Sequence, residues 1–165
     1  MSVESTILAA ALALLAARPY SEEQLRRKLA ARFSSGPEIN ECIALLKRKG
    51  YINDVKLAES YALHRTGAKA IGRARLAREL AGKLLPNDVI DSVLSRAFLA
   101  VPEDELIDRA IDKRLRSKGV PVSPSDRKKM FDYLARLGFD YNLILEKIRS
   151  LSPASDLDVP DDEHC

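Results

Sequence analysis

The chain has 165 residues, only 5% of them aromatic and none of them Trp, with Ala, Leu, Arg, Lys and Glu abundant and a formal net charge of +3. That length suits one ordinary domain or several small units sharing a continuous core, and the composition favours an all-α fold over strands. With only Cys42 and Cys165 there is no disulfide framework and no Cys/His metal spacing, so a reducing, cytoplasmic setting is expected.

Residues Ile7 to Ala17 form an unbroken apolar run. No Lys or Arg precedes it, as an export signal requires, and eleven residues are too short to cross a bilayer, so the run predicts a buried core helix. Ser21 opens the second helix: Ser21 and Gln24 have capping-box spacing, and Tyr20 and Leu25 that of a hydrophobic staple. Leu25 and Leu29 then share its inner face and Arg26, Arg27 and Lys28 point outward. Ser34-Ser35-Gly36 breaks the pattern, Pro37 suits a first turn, and Ile39, Ile43 and Leu46 mark a third helix.

That helix ends at Lys47-Arg48-Lys49-Gly50, cations followed by a glycine able to take the left-handed cap. Asp54 is expected to cap the next helix, with Tyr51 and Ile52 packed into the joint; a fully buried Tyr51 would cost about 3–5 kcal/mol on truncation to Ala. Helix four is predicted over Val55–Arg65 with Leu57, Ala58 and Tyr61 inward, helix five over Gly72–Lys83 with Leu76 and Leu80, and helix six over Pro86–Phe98 with Val89, Val93 and Leu94. A shift of 51 residues lays Leu25 and Leu29 on Leu76 and Leu80, and a shift of 50 lays Ile39 and Ile43 on Val89 and Val93, which signals a repeat array.

A looser third copy follows. Glu103-Asp104-Glu105 start helix seven and Gly119 stops it, Ser123 to Asp126 cap helix eight with Met130 and Leu134 inward, Gly138-Phe139-Asp140 echoes the Gly50-Tyr51 turn, and Ile144 and Ile148 mark helix nine. The expected organisation is three three-helix repeats, at 1–52, 53–100 and 101–152, stacked into an elongated, curved, right-handed or crescent-like solenoid, with an acidic disordered tail at 153–165.

The run Ser21-Glu22-Glu23-Gln24-Leu25-Arg26-Arg27-Lys28-Leu29, then Gly50-Tyr51-Ile52-Asn53-Asp54 and the helix of Arg73, Leu76, Glu79 and Leu80, resembles the RecX family of bacterial recombination regulators, over about residues 8 to 150. Where that family usually has a Lys-Gly-Ile turn after helix five, this chain reads Lys83-Leu84-Leu85. The resemblance implies a monomeric, non-enzymatic regulator without cofactors. It would bind the RecA recombinase filament along its groove and restrain its ATP turnover, strand exchange and coprotease activity.

No catalytic pattern competes with that reading. Gly67 and Gly72 have phosphate-loop spacing, but Arg73-Ala74 replace the Lys and Ser/Thr that hold phosphate and magnesium. His64 has no partner at ligand spacing, and Cys42, beside Ile43, suits a small packing residue. The charge is instead uneven: Arg18 to Lys83 holds 15 Lys and Arg against 7 Asp and Glu, while residues 153–165 hold five acidic residues and no Lys or Arg. Arg26, Arg27, Lys28, Arg65, Arg73, Arg75, Arg78, Arg127, Lys128 and Lys129 are therefore the expected partner surface, mostly on the middle helix of each repeat, which stacking would set side by side as a basic stripe for the filament or for single- or double-stranded DNA. Two alternatives stand beside the regulator: a helix-turn-helix DNA reader, and a generic helical-repeat interaction module.

Overall fold

The computed structural model describes residues 3–151, with side chains from residue 5; the expectation for the tail at 153–165 lies outside them. Among the described residues there are nine α-helices and no strand, in the order α1 Val3–Ala17, α2 Glu22–Ala30, α3 Gly36–Arg48, α4 Asp54–Lys69, α5 Arg73–Ala81, α6 Asn87–Ala100, α7 Glu103–Lys118, α8 Pro124–Leu137 and α9 Tyr141–Ser150. Local chemistry sets several of these boundaries. The Ser21 hydroxyl accepts from Gln24 N at 3.2 Å while Gln24 Oε1 accepts from Ser21 N at 3.3 Å, so two orphan amides at the start of α2 are satisfied reciprocally. Ser123 caps α8 through Asp126 N, and Asp140 caps α9 through the amides of Asn142 and Leu143.

Four local expectations are corrected. The cap of α4 is Asn53, whose extended backbone lets Oδ1 accept from Lys56 N at 2.9 Å; Asp54 is already the first helical residue. Tyr51 is 61% exposed, and Ile52 alone fills the joint behind it. Helix α4 runs four residues beyond Arg65, through Gly67, and stops where Ala70 takes a left-handed φ of 46°. The glycine spacing at 67–72 therefore begins inside a helix, with no loop to cradle a phosphate. From Ile7 onward helix α1 is apolar all round yet buries one face only, with Ile7 and Ala11 inside and Leu12 exposed.

The buried apolar residues fall into three clusters. The first gathers Ile7, Leu25, Leu29, Ile39, Ile43 and Leu46, the second Ala58, Leu76, Leu80, Ile90 and Leu94, the third Ile107, Met130, Leu134, Ile144 and Ile148. Each fully buried Leu or Ile contributes about 1.5–3 kcal/mol of transfer free energy, so no cluster is large. Burial also corrects the register of α6. Ile90 and Leu94 face inward and Val89 is half-buried, so one shift of 51 residues carries Ile7, Ala11, Leu25, Leu29, Ile39, Cys42 and Ile43 onto Ala58, Ala62, Leu76, Leu80, Ile90, Val93 and Leu94.

The middle helices α2, α5 and α8 meet end to end rather than side by side. Ser21 Oγ, at the start of α2, donates to Lys83 O just past the end of α5, at 2.5 Å. At the start of α5, Gly72 N donates to Leu137 O at 2.9 Å and Ala74 N to Gly138 O at 3.2 Å, at the end of α8. Each contact joins the positive end of one helix to the negative end of the next and satisfies orphan groups of both. A Cβ on Gly72 would overlap the Gly138 carbonyl, and one on Gly138, itself at φ 85°, would overlap Arg75. Glycine at both positions lets the two backbones touch.

Candidate functional site

At both of these contacts a carboxylate from the following helix triplet takes the first amide of the middle helix. Glu22 N donates to Asp54 Oδ1 at 2.9 Å and Arg73 N to Glu103 Oε1 at 2.8 Å. Burial pushes the carboxyls of Asp54 and Glu103 above their ordinary values. The basic residues are fixed relative to these joints.

On α2, Arg26 is clasped by Glu22 at 2.7 Å and Glu23 at 2.8 Å, and Arg27 by Glu23 at 2.8 Å, while Lys28 is exposed. Lys47 reaches Glu22 at 2.7 Å. Hydrogen bonds from Lys47 to Glu22 and from Arg27 to Glu23 hold both carboxyls below their usual range. Much of the α2 cationic charge is therefore already answered.

Arg65 does not reach the surface. It is 7% exposed and grips Glu79 with two donors, Nε to Oε2 at 2.6 Å and Nη2 to Oε1. Arg75 Nε joins at 3.0 Å and the Tyr61 hydroxyl at 3.1 Å. Burial raises the Glu79 carboxyl, but the donors from Arg65, Arg75 and Tyr61 outweigh it and the net direction is down. Arg65 and Glu79 tie α4 to α5, with Lys83 Nζ 4.2 Å from the Tyr61 ring centroid.

The exposed charge gathers where α5 meets α8. Arg75, Arg78, Glu79 and Arg136 line an open cleft of about 460 Å³. Arg75 Nη1 donates to Arg136 O at 3.3 Å, Arg78 Nε to Ala74 O at 3.4 Å, and Arg136 Nε to Asp132 O at 3.2 Å. Arg73 does not line this cleft; its guanidinium lies 5.6 Å from the Phe98 ring of α6. The expected set lacks Arg136. Its only sequence signal is a cation in the last turn of α8, and the α5 partner lies 61 residues away.

Arg127, Lys128 and Lys129 occupy the first turns of α8, about 13 Å of helix rise from Arg136. Lys129 pairs with Asp126 at 3.2 Å and Lys128 is exposed. The structure thus joins Arg75, Arg78 and Arg136, and leaves Arg73 and the α8 start separate. Among the described residues no group of three His, Cys, Asp or Glu is placed to hold a metal, and no helix is long and apolar enough to cross a membrane.

The comparisons with known proteins agree with this architecture. No family model matches the chain. Regulatory protein RecX of Chlorobaculum tepidum is 30% identical over 147 residues, 88% of each chain. This chain belongs to the RecX family. RecX of Pelodictyon phaeoclathratiforme is 31% identical over 91% of this chain and 92% of its own, and RecX of Xanthomonas campestris pv. campestris is 32% identical over 86% and 85%. In fold, the crystal structure of RecX from Lactobacillus salivarius matches with a TM-score of 0.77 at 22% identity, over 90% of this chain and 96% of that one.

Proposed function

We infer that this RecX-family chain is a non-enzymatic regulator that binds the RecA recombinase filament in the cytoplasm and restrains its ATP turnover, strand exchange and coprotease activity. The observation that carries the reading is the likeness to RecX regulatory proteins over nearly the whole chain. The three clusters, one per helix triplet, support an array of stacked repeats divided at 52/53 and 100/101. An elongated, curved array lying along a filament groove touches several subunits at once, so binding is multivalent. The cleft of Arg75, Arg78 and Arg136 is the anionic-partner surface of that array, with Arg26, Arg27, Lys28, Arg73, Lys128 and Lys129 as outlying cations.

Co-sedimentation tests this reading. The chain, as a monomer, is expected to pellet with RecA filaments assembled on single-stranded DNA and to slow their ATP hydrolysis, with binding that weakens as salt is added. Equal pelleting on DNA without RecA would favour a DNA reader, and no pelleting with either a general interaction module.

A further inference from the structure

The two joints between helix triplets are built from different chemistry. At the second, apolar side chains cross the boundary: Phe98 and Leu137 each pack on both the second and the third cluster, and Ala70 packs on the third. Gly72 and Gly138 bring the two backbones into contact there. Around that contact Gly72 to Arg75 donate to the carbonyls of Arg136, Leu137 and Gly138 and to the Glu103 carboxylate. Residues 101–102 alone separate α6 from α7. At the first joint, among the described residues, no apolar side chain belongs to both the first and the second cluster. It is held instead by the hydrogen bonds from Ser21 Oγ to Lys83 O and from Glu22 N to Asp54 Oδ1. Residues 49–53 separate α3 from α4, Ile52 packs on the first cluster, and Asn53 beyond it is exposed. An open cleft of about 350 Å³ lies between the triplets, with Glu22 and Lys47 on one side and Val55, Pro86 and Val89 on the other.

Bending a joint costs whatever contact it gives up. Parting the second joint returns Phe98 and Leu137 to water, whereas the hydrogen bonds of the first, once opened, are remade to water. A small polar interface leaves the bodies on either side free to move, and a hinge needs few loop residues to absorb the turn. We propose that the molecule is hinged at Asn53, with the first triplet as one body and the second and third triplets together as the other. The cleft between Lys47 and Pro86 gives that motion room. The Arg75, Arg78 and Arg136 cleft straddles the second joint and so keeps its shape, while Arg27 and Lys28 ride on α2 and change their distance from it. Bending therefore adjusts the spacing of two cationic surfaces without altering either. On the reading proposed above, this fits one array to sites of different spacing on its partner; the hinge itself does not depend on that reading.

Paired spin labels on the full chain, without any partner, test the hinge. The background is Cys165→Ser, with Cys42 buried. Labels at Lys28→Cys and Asp91→Cys span the first joint, and labels at Asp91→Cys and Lys113→Cys span the second; all three positions are exposed. The distance distribution across the first joint is expected to be at least about twice as broad as that across the second. Asp54→Ala removes the acceptor of the Glu22 amide, so it should broaden the first distribution further and leave the second unchanged. Equal breadths, or a broader second joint, would overturn the proposal. So would an Asp54→Ala variant that leaves the first distribution unaltered or widens both alike.

Discussion

Arg65 shows how far a residue's position can depart from its type. An arginine on a charged helix is ordinarily a surface group, yet this one lies inside, paired with Glu79. Breaking a buried pair leaves its partner uncompensated, so Glu79→Ala should lower stability by about 2–3 kcal/mol, less than for a fully enclosed pair because Glu79 is partly open to solvent. Denaturant unfolding measures this, and an unchanged midpoint would remove the pair from the structural account. The same carboxyl sets a pH dependence. Its folded pKa lies below the ordinary glutamate value, so its contribution is complete above that ordinary value and is lost as pH falls through the lower folded one. Glu22 and Glu23 act in the same sense. Asp54 and Glu103 act oppositely: burial raises them, their charge costs the fold stability at neutral pH, and protonation relieves that cost. Thermal melts from about pH 6 to about pH 3 should show stability falling in acid, and falling less in Glu79→Gln. Tyr51→Ala, by contrast, should change stability by no more than about 0.5 kcal/mol, because the ring is exposed.

Helix ends carry the next level of organisation. The caps Ser21 and Ser123 were legible in the sequence, because each acts within three residues, whereas Asn53 was missed because Asp54 beside it offers the same chemistry. The joints were not, since Ser21 meets Lys83 across 62 residues and nothing local points to that acceptor. The turn after α5 is intermediate. Leu84 adopts φ 57°, a conformation costing a non-glycine residue about 1–2 kcal/mol. Two predictions belong to the joints. Gly72→Ala should cost at least about 1–3 kcal/mol, because the new methyl meets the Gly138 backbone, which cannot turn aside as a side chain does. Asp54→Asn should preserve stability, since an amide oxygen can still accept from Glu22 N without the buried charge, whereas Asp54→Ala strands that amide and should cost about 1–3 kcal/mol. Thermal melts of the three variants separate these outcomes, and equal melting temperatures for Asp54→Asn and Asp54→Ala would contradict the role of Asp54 as acceptor for the Glu22 amide.

Across the whole molecule, the all-helical class and the inward faces of α2, α5, α8 and α9 followed from periodicity alone. The register of α6 did not, because Val89 and Ile90 are both apolar neighbours and only packing chooses between them. The basic surface was legible as composition and only partly as geometry. Arg26 and Arg27 are engaged by their own helix's glutamates, Arg65 is inside, and Arg136 enters through the end-to-end meeting of α5 and α8. Arg78 and Arg136 are the exposed cations of that cleft. The most direct measurement is co-sedimentation of the Arg78→Glu/Arg136→Glu variant with RecA filaments on single-stranded DNA, after circular dichroism has confirmed that it is folded. Affinity is expected to fall by at least about tenfold, and restraint of ATP turnover to be lost with it. A folded variant that binds and restrains the filament as the parent does would contradict it.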